Sequence, residues 1–185
     1  MVTLGLILLN VLVFIGINAV PSLSEVFLLD PDLAMVLAKP WTLFTVFFAH
    51  QILIHIVLNM VVLFFFGKTL EKEASWKVLL SAYVLCGFVG SLSTLAYAAA
   101  IGYDGPLIAG ASAAAFGVAA TYAGLRPNAA ILGSKAKHWV VALFVVNILL
   151  TIQNPQLSVG GPAHAIGILL GLGLGYFLKR RTSTV

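Results

Sequence analysis

The sequence predicts an all-α membrane protein: a bundle of six transmembrane helices with an interfacial loop between the first and the second. Three observations carry this. Charged residues are only 9% of the 185 and hydrophobic ones 61%, whereas a soluble domain carries roughly 25% charged residues; mean hydropathy is +1.09. Apolar stretches near the length needed to cross a bilayer, about 20 residues, recur along the whole chain. The basic residues fall between those stretches, and almost all on alternate loops.

The first stretch, 2–20, has no basic residues ahead of it and is followed by five more, so it reads as a helix rather than a cleaved signal. Segment 21–42 is broken by Pro21, Asp30, Pro31 and Pro40 and carries Trp41. It reads as a loop with short pieces lying at the membrane surface. The remaining spans are 43–66, 76–101, 106–125, 138–153 and 161–178, followed by a tail at 179–185. No polar linker, low-complexity tract or repeat divides residues 1–185, so one domain is expected.

Six spans put both termini on one side, together with Lys68, Lys72, Lys77, Arg126, Lys135, Lys137, Lys179, Arg180 and Arg181. Lys39 alone falls on the other, with Glu25, Asp30, Asp32 and Asp104. By the positive-inside rule both termini and the 179–185 tail are cytoplasmic. The net charge of +4 is therefore a topology signal, and no nucleic-acid partner is expected. The lone Cys86 lies in an apolar run, where it reads as packing; an internal disulfide or a cysteine metal cage is excluded.

Polar groups inside a bilayer are costly and by default mark function. His55 and Asn59 are four residues apart in the second span, hence on one helix face. Ser112 opens the fourth span within Gly110-Ala111-Ser112-Ala113, and His164 opens the sixth within Gly161-Pro162-Ala163-His164. Ser112, His164 and His55 precede the cytoplasmic charges Arg126, Lys179 and Lys68 by 14, 15 and 13 residues. At the helical rise all three stand roughly 20–22 Å above that face, with Asn59 about one turn lower. A serine beside a histidine base at one depth is the equipment of acyl transfer. Asn59, His55 and the Ser112 amide, at a helix start whose dipole favours anions, are suitable donors to a tetrahedral oxyanion. No carboxylate within the membrane is available to orient His164, which points to a Ser–His dyad.

Other chemistries fail on spacing. His50 and His55 are five apart, about 140° around a helix, and cannot chelate zinc as a His-Glu-x-x-His pair does. Asp104 has no second membrane aspartate for an aspartyl dyad. No phosphate loop, dinucleotide fingerprint or heme attachment occurs, so neither metal nor cofactor is expected.

The stretch His50-Gln-Ile-Leu-Ile-His55-Ile-Val-Leu-Asn59-Met60, followed by Gly67 and Glu71, resembles the second helix of rhomboid proteases. Gly110-Ala-Ser112-Ala-Ala-Ala-Phe116-Gly117 resembles their Gly-x-Ser-Gly nucleophile motif. Ala163-His164-Ala-Ile-Gly167-Ile-Leu-Leu-Gly171 resembles their sixth helix, and Trp41, Phe44 and Thr45 the segment before the second. The resemblance runs in the correct order from about residue 41 to 178.

It implies a rhomboid-like six-helix bundle, with Ser112 as nucleophile, His164 as base, and His55, Asn59 and the Ser112 amide as oxyanion hole. It further implies that Phe116 packs on His164, that His50 and Gly110 support the site, and that Glu71 is structural at the cytoplasmic end of the second helix. Gly167, Gly171 and Gly175 form a small-xxx-small ridge that would let the sixth helix approach the fourth. Two positions depart from the pattern: Ala113 replaces the glycine after the nucleophile, and Thr42 replaces the arginine after the tryptophan.

The expected function is intramembrane serine proteolysis of transmembrane protein substrates in the lipid bilayer, near the outer face of a prokaryotic cell membrane. The alternative is a catalytically inactive rhomboid-like protein that binds transmembrane helices, for which Ala113 is the best argument. A solute channel would need polar residues continuing below Asn59, where the spans are nearly all apolar.

Overall fold

A computed structural model describes residues 1–182. Six helices follow the order of the expected spans: α1 (Val2–Ala19), α2 (Leu53–Glu73), α3 (Trp76–Ile101), α4 (Ser112–Leu125), α5 (Ala136–Gln153) and α6 (Gly161–Thr182). Five are long and apolar enough to cross a membrane; α4, with 14 residues, is shorter. At the helical rise α4 measures about 21 Å, less than a hydrocarbon core of about 30 Å.

Span boundaries differ from expectation: before α2 and before α4 tertiary hydrogen bonds hold the chain out of a helix, while the ends of α2 and α6 extend beyond the expected spans. Residues 43–52 do not join α2. Thr42–Thr45 and Val46–Phe48 form separate helical turns, and Ala49 and Ile52 are extended. Thr45 Oγ1 donates to Phe27 O at 2.9 Å and Gly110 N to Val46 O at 3.2 Å, tying this segment to its neighbours. At its other end α2 continues through a π-turn at Leu63–Gly67 to Glu73, beyond the expected 66. The fourth helix opens at Ser112 rather than 106. Ile108 and Leu29 exchange both backbone hydrogen bonds, and Gly110 has φ +147, which no helix admits. The expected 179–185 tail is helical through Thr182, and 183–185 lie outside the described residues.

The 21–42 loop is folded. Ser24–Phe27 and Leu33–Ala38 are short helices, the second capped by Asp32, whose carboxylate accepts from Ala34 N at 2.9 Å. Trp41 Nε1 donates to Val26 O at 3.1 Å. Buried Thr42, where the resemblance expects arginine, donates to Lys39 O at 2.7 Å and fastens the loop to itself. Between α4 and α5, strands β1 (Ala130–Ile131) and β2 (Ser134–Lys135) make a small antiparallel hairpin. Its turn places Leu132 and Gly133 at positive φ.

Two carboxylates join helix ends. Glu71 accepts from Val2 N at 2.7 Å, Thr3 N at 2.9 Å and Thr3 Oγ1 at 2.6 Å, so α2 supplies the cap that α1 lacks in its own sequence. Glu73 accepts from Tyr122 Oη at 2.9 Å and Arg126 Nε at 3.3 Å, bracing the end of α4. The start of α1 thus meets the ends of α2 and, through it, α4, as up-and-down alternation requires.

Helix α4 is the axis of the bundle. Twelve of its residues are buried, and nearly all are Ala, Gly, Ser, Thr or Val. A helix apolar all round belongs inside, and small side chains let its neighbours come close. Its most extensive partner is α6. A methyl added at Gly167 would sit 2.5 Å from Ala113 O; one at Gly171 would strike Gly117 O, and one at Gly175 Thr121 O. The ridge expected from sequence is thus a backbone-to-backbone contact over three turns. Cys86 is buried against Gly117, as a packing residue would be.

A methyl added at Gly173, on the same helix, would meet nothing within 4 Å. Gly171→Ala should therefore lower the melting temperature in detergent by roughly 2–12 °C, from about 1–3 kcal/mol of overpacking at ~2–4 °C per kcal/mol. Gly173→Ala should leave it unchanged or raise it slightly through helix propensity. Equal shifts for both would mean that the α4–α6 contact does not set the stability.

Candidate active site

The glycine ridge brings the first turn of α4 against the first turn of α6. There Ser112 Oγ and His164 Nε2 lie 2.5 Å apart, from residues 52 positions distant in sequence. Phe116, one turn beyond the serine, sets its ring edge-on to the imidazole with centroids 5.2 Å apart and planes at 61°. Both groups open onto a cavity of about 820 Å³. Its polar lining includes His55, Asn59, Ser112, Asn147 and His164; Gly110 and Phe116 also border it.

Two of the residues expected at an oxyanion site, His55 and Ser112, flank the space beside Gly110. Because Gly110 has no side chain, a space is left beside it that lies 3.1 Å from His55 Nε2 and 3.6 Å from Ser112 Oγ. A methyl in that space would come 2.7 Å from the His55 ring, so two constraints, close approach and positive φ, select glycine here. The Ser112 amide belongs to the first helical turn, whose N–H groups have no acceptor within the helix.

His50 sits behind this space. It is fully buried, lies in the extended segment before α2 rather than on a helix, and does not line the cavity. Its Nε2 accepts from Ala111 N at 3.3 Å and faces Asn59 Nδ2 at 3.0 Å. A backbone N–H can only donate, so Nε2 is the unprotonated nitrogen and the Asn59 amide donates to it as well. One side chain thereby fixes both the Asn59 amide and the backbone leading into Ser112. The second Asn59 N–H is left for the cavity.

Ala113 follows Ser112 as the second residue of α4, in helical backbone. Its methyl faces Gly90 of α3, where an added methyl would come 2.5 Å away. The carbon that Ala113 adds over the expected glycine is accommodated against Gly90, between α3 and α4.

Sequence reasoning missed Asn147. It is buried on α5, a helix whose neighbouring Val145, Val146, Leu149 and Leu150 are exposed. Its Oδ1 lies 2.7 Å from His164 Nδ1, and its Nδ2 donates to Gly161 O at 2.8 Å. Only a carboxylate is weighed for the orienting role in the sequence, whereas the group present is an amide. The available signal was a lone amide in the middle of the apolar run from Trp139 to Leu150.

The description of the family model that matches this chain is "Rhomboid domain", over residues 37–181, from the folded loop through α6. Among curated proteins, RHOMBOID-like protein 1 of Arabidopsis thaliana is 34% identical over 154 residues, covering 80% of this chain and 38% of the relative. RHOMBOID-like protein 6, mitochondrial, of the same plant is 32% identical over 141 residues, covering 76% of this chain and 44% of the relative. The chain thus spans less than half the length of either, and neither speaks for the prokaryotic membrane expected from sequence. A helical membrane bundle, motifs in matching order and a domain match over most of its length together place the chain in the rhomboid family.

Proposed function

We propose that the chain is an intramembrane serine endopeptidase, cutting peptide bonds within or next to transmembrane segments of other membrane proteins. The observation that carries this is the hydrogen bond between Ser112 Oγ and His164 Nε2 on the wall of a cavity between helices. Ser112 Oγ attacks the scissile carbonyl carbon while His164 Nε2 takes its proton. The carbonyl oxygen, now negative, enters the space beside Gly110, where His55, the free Asn59 N–H and the Ser112 amide donate to it. The imidazolium then gives its proton to the leaving amine, and water hydrolyses the acyl-enzyme by the same steps.

The cavity has an apolar wall from α2, including Leu58, Val62 and Phe65, and another from α5, including Leu143, Val146 and Leu150. Such walls suit an apolar substrate helix, whose backbone must unwind locally to reach Ser112. The charge pattern of the loops supports cytoplasmic termini, with the Ser112 end of α4 towards the outer face.

A fluorophosphonate probe should label the wild type in detergent and leave Ser112→Ala unlabelled. Equal labelling of both would remove Ser112 from the reaction. Asn59→Ala should lower kcat on a transmembrane-segment substrate by about 10²-fold, with KM little changed, as for other oxyanion donors. A change confined to KM would make Asn59 a binding residue instead.

The inactive-relative reading rests on Ala113, and its methyl faces Gly90 rather than taking the oxyanion space. Ala113→Gly should therefore lower the melting temperature, by helix propensity of about 1 kcal/mol and a gap against Gly90, while leaving cleavage equal or somewhat faster. A wild type inert on every substrate, with cleavage gained only in Ala113→Gly, would favour the inactive relative.

A further inference from the structure

Resting on the protease reading, we propose that Asn147 is a positioning residue that fixes the tautomer and ring orientation of His164, so that the Ser112–His164 dyad is held in its working form by a third side chain.

The direction of the Asn147 amide follows from its neighbours. Gly161 O, a carbonyl, can only accept, so the atom 2.8 Å from it is the NH₂ nitrogen. The oxygen of the same amide therefore faces His164 Nδ1 at 2.7 Å, and Nδ1 must be the donor. In a neutral imidazole only one nitrogen carries a proton. With that proton held at Nδ1, Nε2 presents its lone pair to Ser112 Oγ, and the serine hydroxyl donates. Without an acceptor at Nδ1 the ring would be free to place its proton on Nε2, where it cannot act as a base toward the serine.

The Asn147 side chain is held by its bond to Gly161 O, and Thr151 packs beside it. Thr151 Oγ1, one turn further along α5, donates to the backbone carbonyl of Asn147 at 2.8 Å. A methyl at Gly161 would strike Thr151 Oγ1, so the glycine at the start of α6 lets that helix reach the amide. The imidazole thus has Ser112 at Nε2, Asn147 at Nδ1 and the Phe116 ring in a tilted, T-shaped contact. A neutral amide does this without placing a charge in the bilayer, where a carboxylate would be costly.

Two variants separate the acceptor from the tie to Gly161. Asn147→Leu removes both hydrogen bonds at similar volume; Asn147→Asp keeps the Oδ1 acceptor and loses the donor to Gly161 O. Asn147→Leu should lower kcat by roughly 10–100-fold, part of the 10²–10⁴ a positioned base contributes, with KM little changed. Asn147→Asp should recover most of that loss. If Leu and Asp lose activity equally, with matched melting curves, the residue only ties α5 to α6 and the inference fails.

A second measurement does not depend on catalysis. In protein labelled with ¹⁵N-histidine, the His164 resonances, identified by their loss in His164→Gln, should report a protonated Nδ1 and an unprotonated Nε2 at neutral pH. Asn147→Leu should convert this to a mixture of tautomers. A wild-type ring protonated at Nε2 would overturn the proposal even in an active enzyme. Absence of probe labelling at Ser112 would instead defeat the protease reading, and the tautomer measurement would still decide the role of Asn147.

Discussion

The rest of the molecule depends on one contact, the approach of α6 to α4 backbone against backbone. Side chains larger than hydrogen at Gly167, Gly171 or Gly175 would meet carbonyl oxygens of α4. At that separation the first turns of the two helices bring a serine and a histidine within hydrogen-bond reach. Apolar side chains give little preference for helix association inside a lipid, because the lipid is equally apolar. Close packing of small residues supplies the preference instead, and it fixes distance more tightly than a layer of leucines would. The same economy recurs at Gly90, which receives the Ala113 methyl, and at Gly161, which admits Thr151.

Around this contact most buried polar groups pair in short chains, while His50 Nδ1 and Asn10 Oδ1 are buried without a partner. Ala111 and Asn59 share His50 Nε2; Asn147 bridges His164 and Gly161 O. Tyr83 Oη donates to Phe47 O at 2.7 Å and accepts from Asn10 Nδ2 at 3.0 Å, which ties α1 and α3 to the segment before α2. Each bond replaces hydration that the membrane interior does not offer, so breaking one leaves a costly unpaired group. Paired donors and acceptors at the site have no water to turn to, which favours the geometry that keeps them paired.

The non-helical segments follow from the same logic. Residues 105–111 leave the helix just where their backbone groups find partners in Leu29, Val46 and His50. Irregular backbone at a membrane protein's core is tolerated where protein satisfies it. Here it delivers Gly110 at positive φ and Ser112 at the start of a helix. A serine in mid-helix would instead bond its own preceding turn, as Thr121 does to Gly117 O at 2.8 Å.

The order of the helices, the small-residue ridge and the pairing of Ser112 with His164 were legible in the sequence. They rest on local properties: hydropathy over a span length, a four-residue glycine period, and polar residues at a common depth. Glu71 was legible as structural only through family resemblance, and its partners Val2 and Thr3 were not. The boundaries at Leu53 and Ser112, the bond from His50 to Ala111, the fit of Ala113 into Gly90 and the reach of Asn147 to His164 needed the tertiary structure. Each joins residues far apart in the chain. Hydrophobic periodicity records which face of a segment is apolar but not which hydrogen-bond partner another helix will present. An amide on α5 reads as an isolated polar residue until the ridge between α4 and α6 has placed an imidazole nitrogen in front of it.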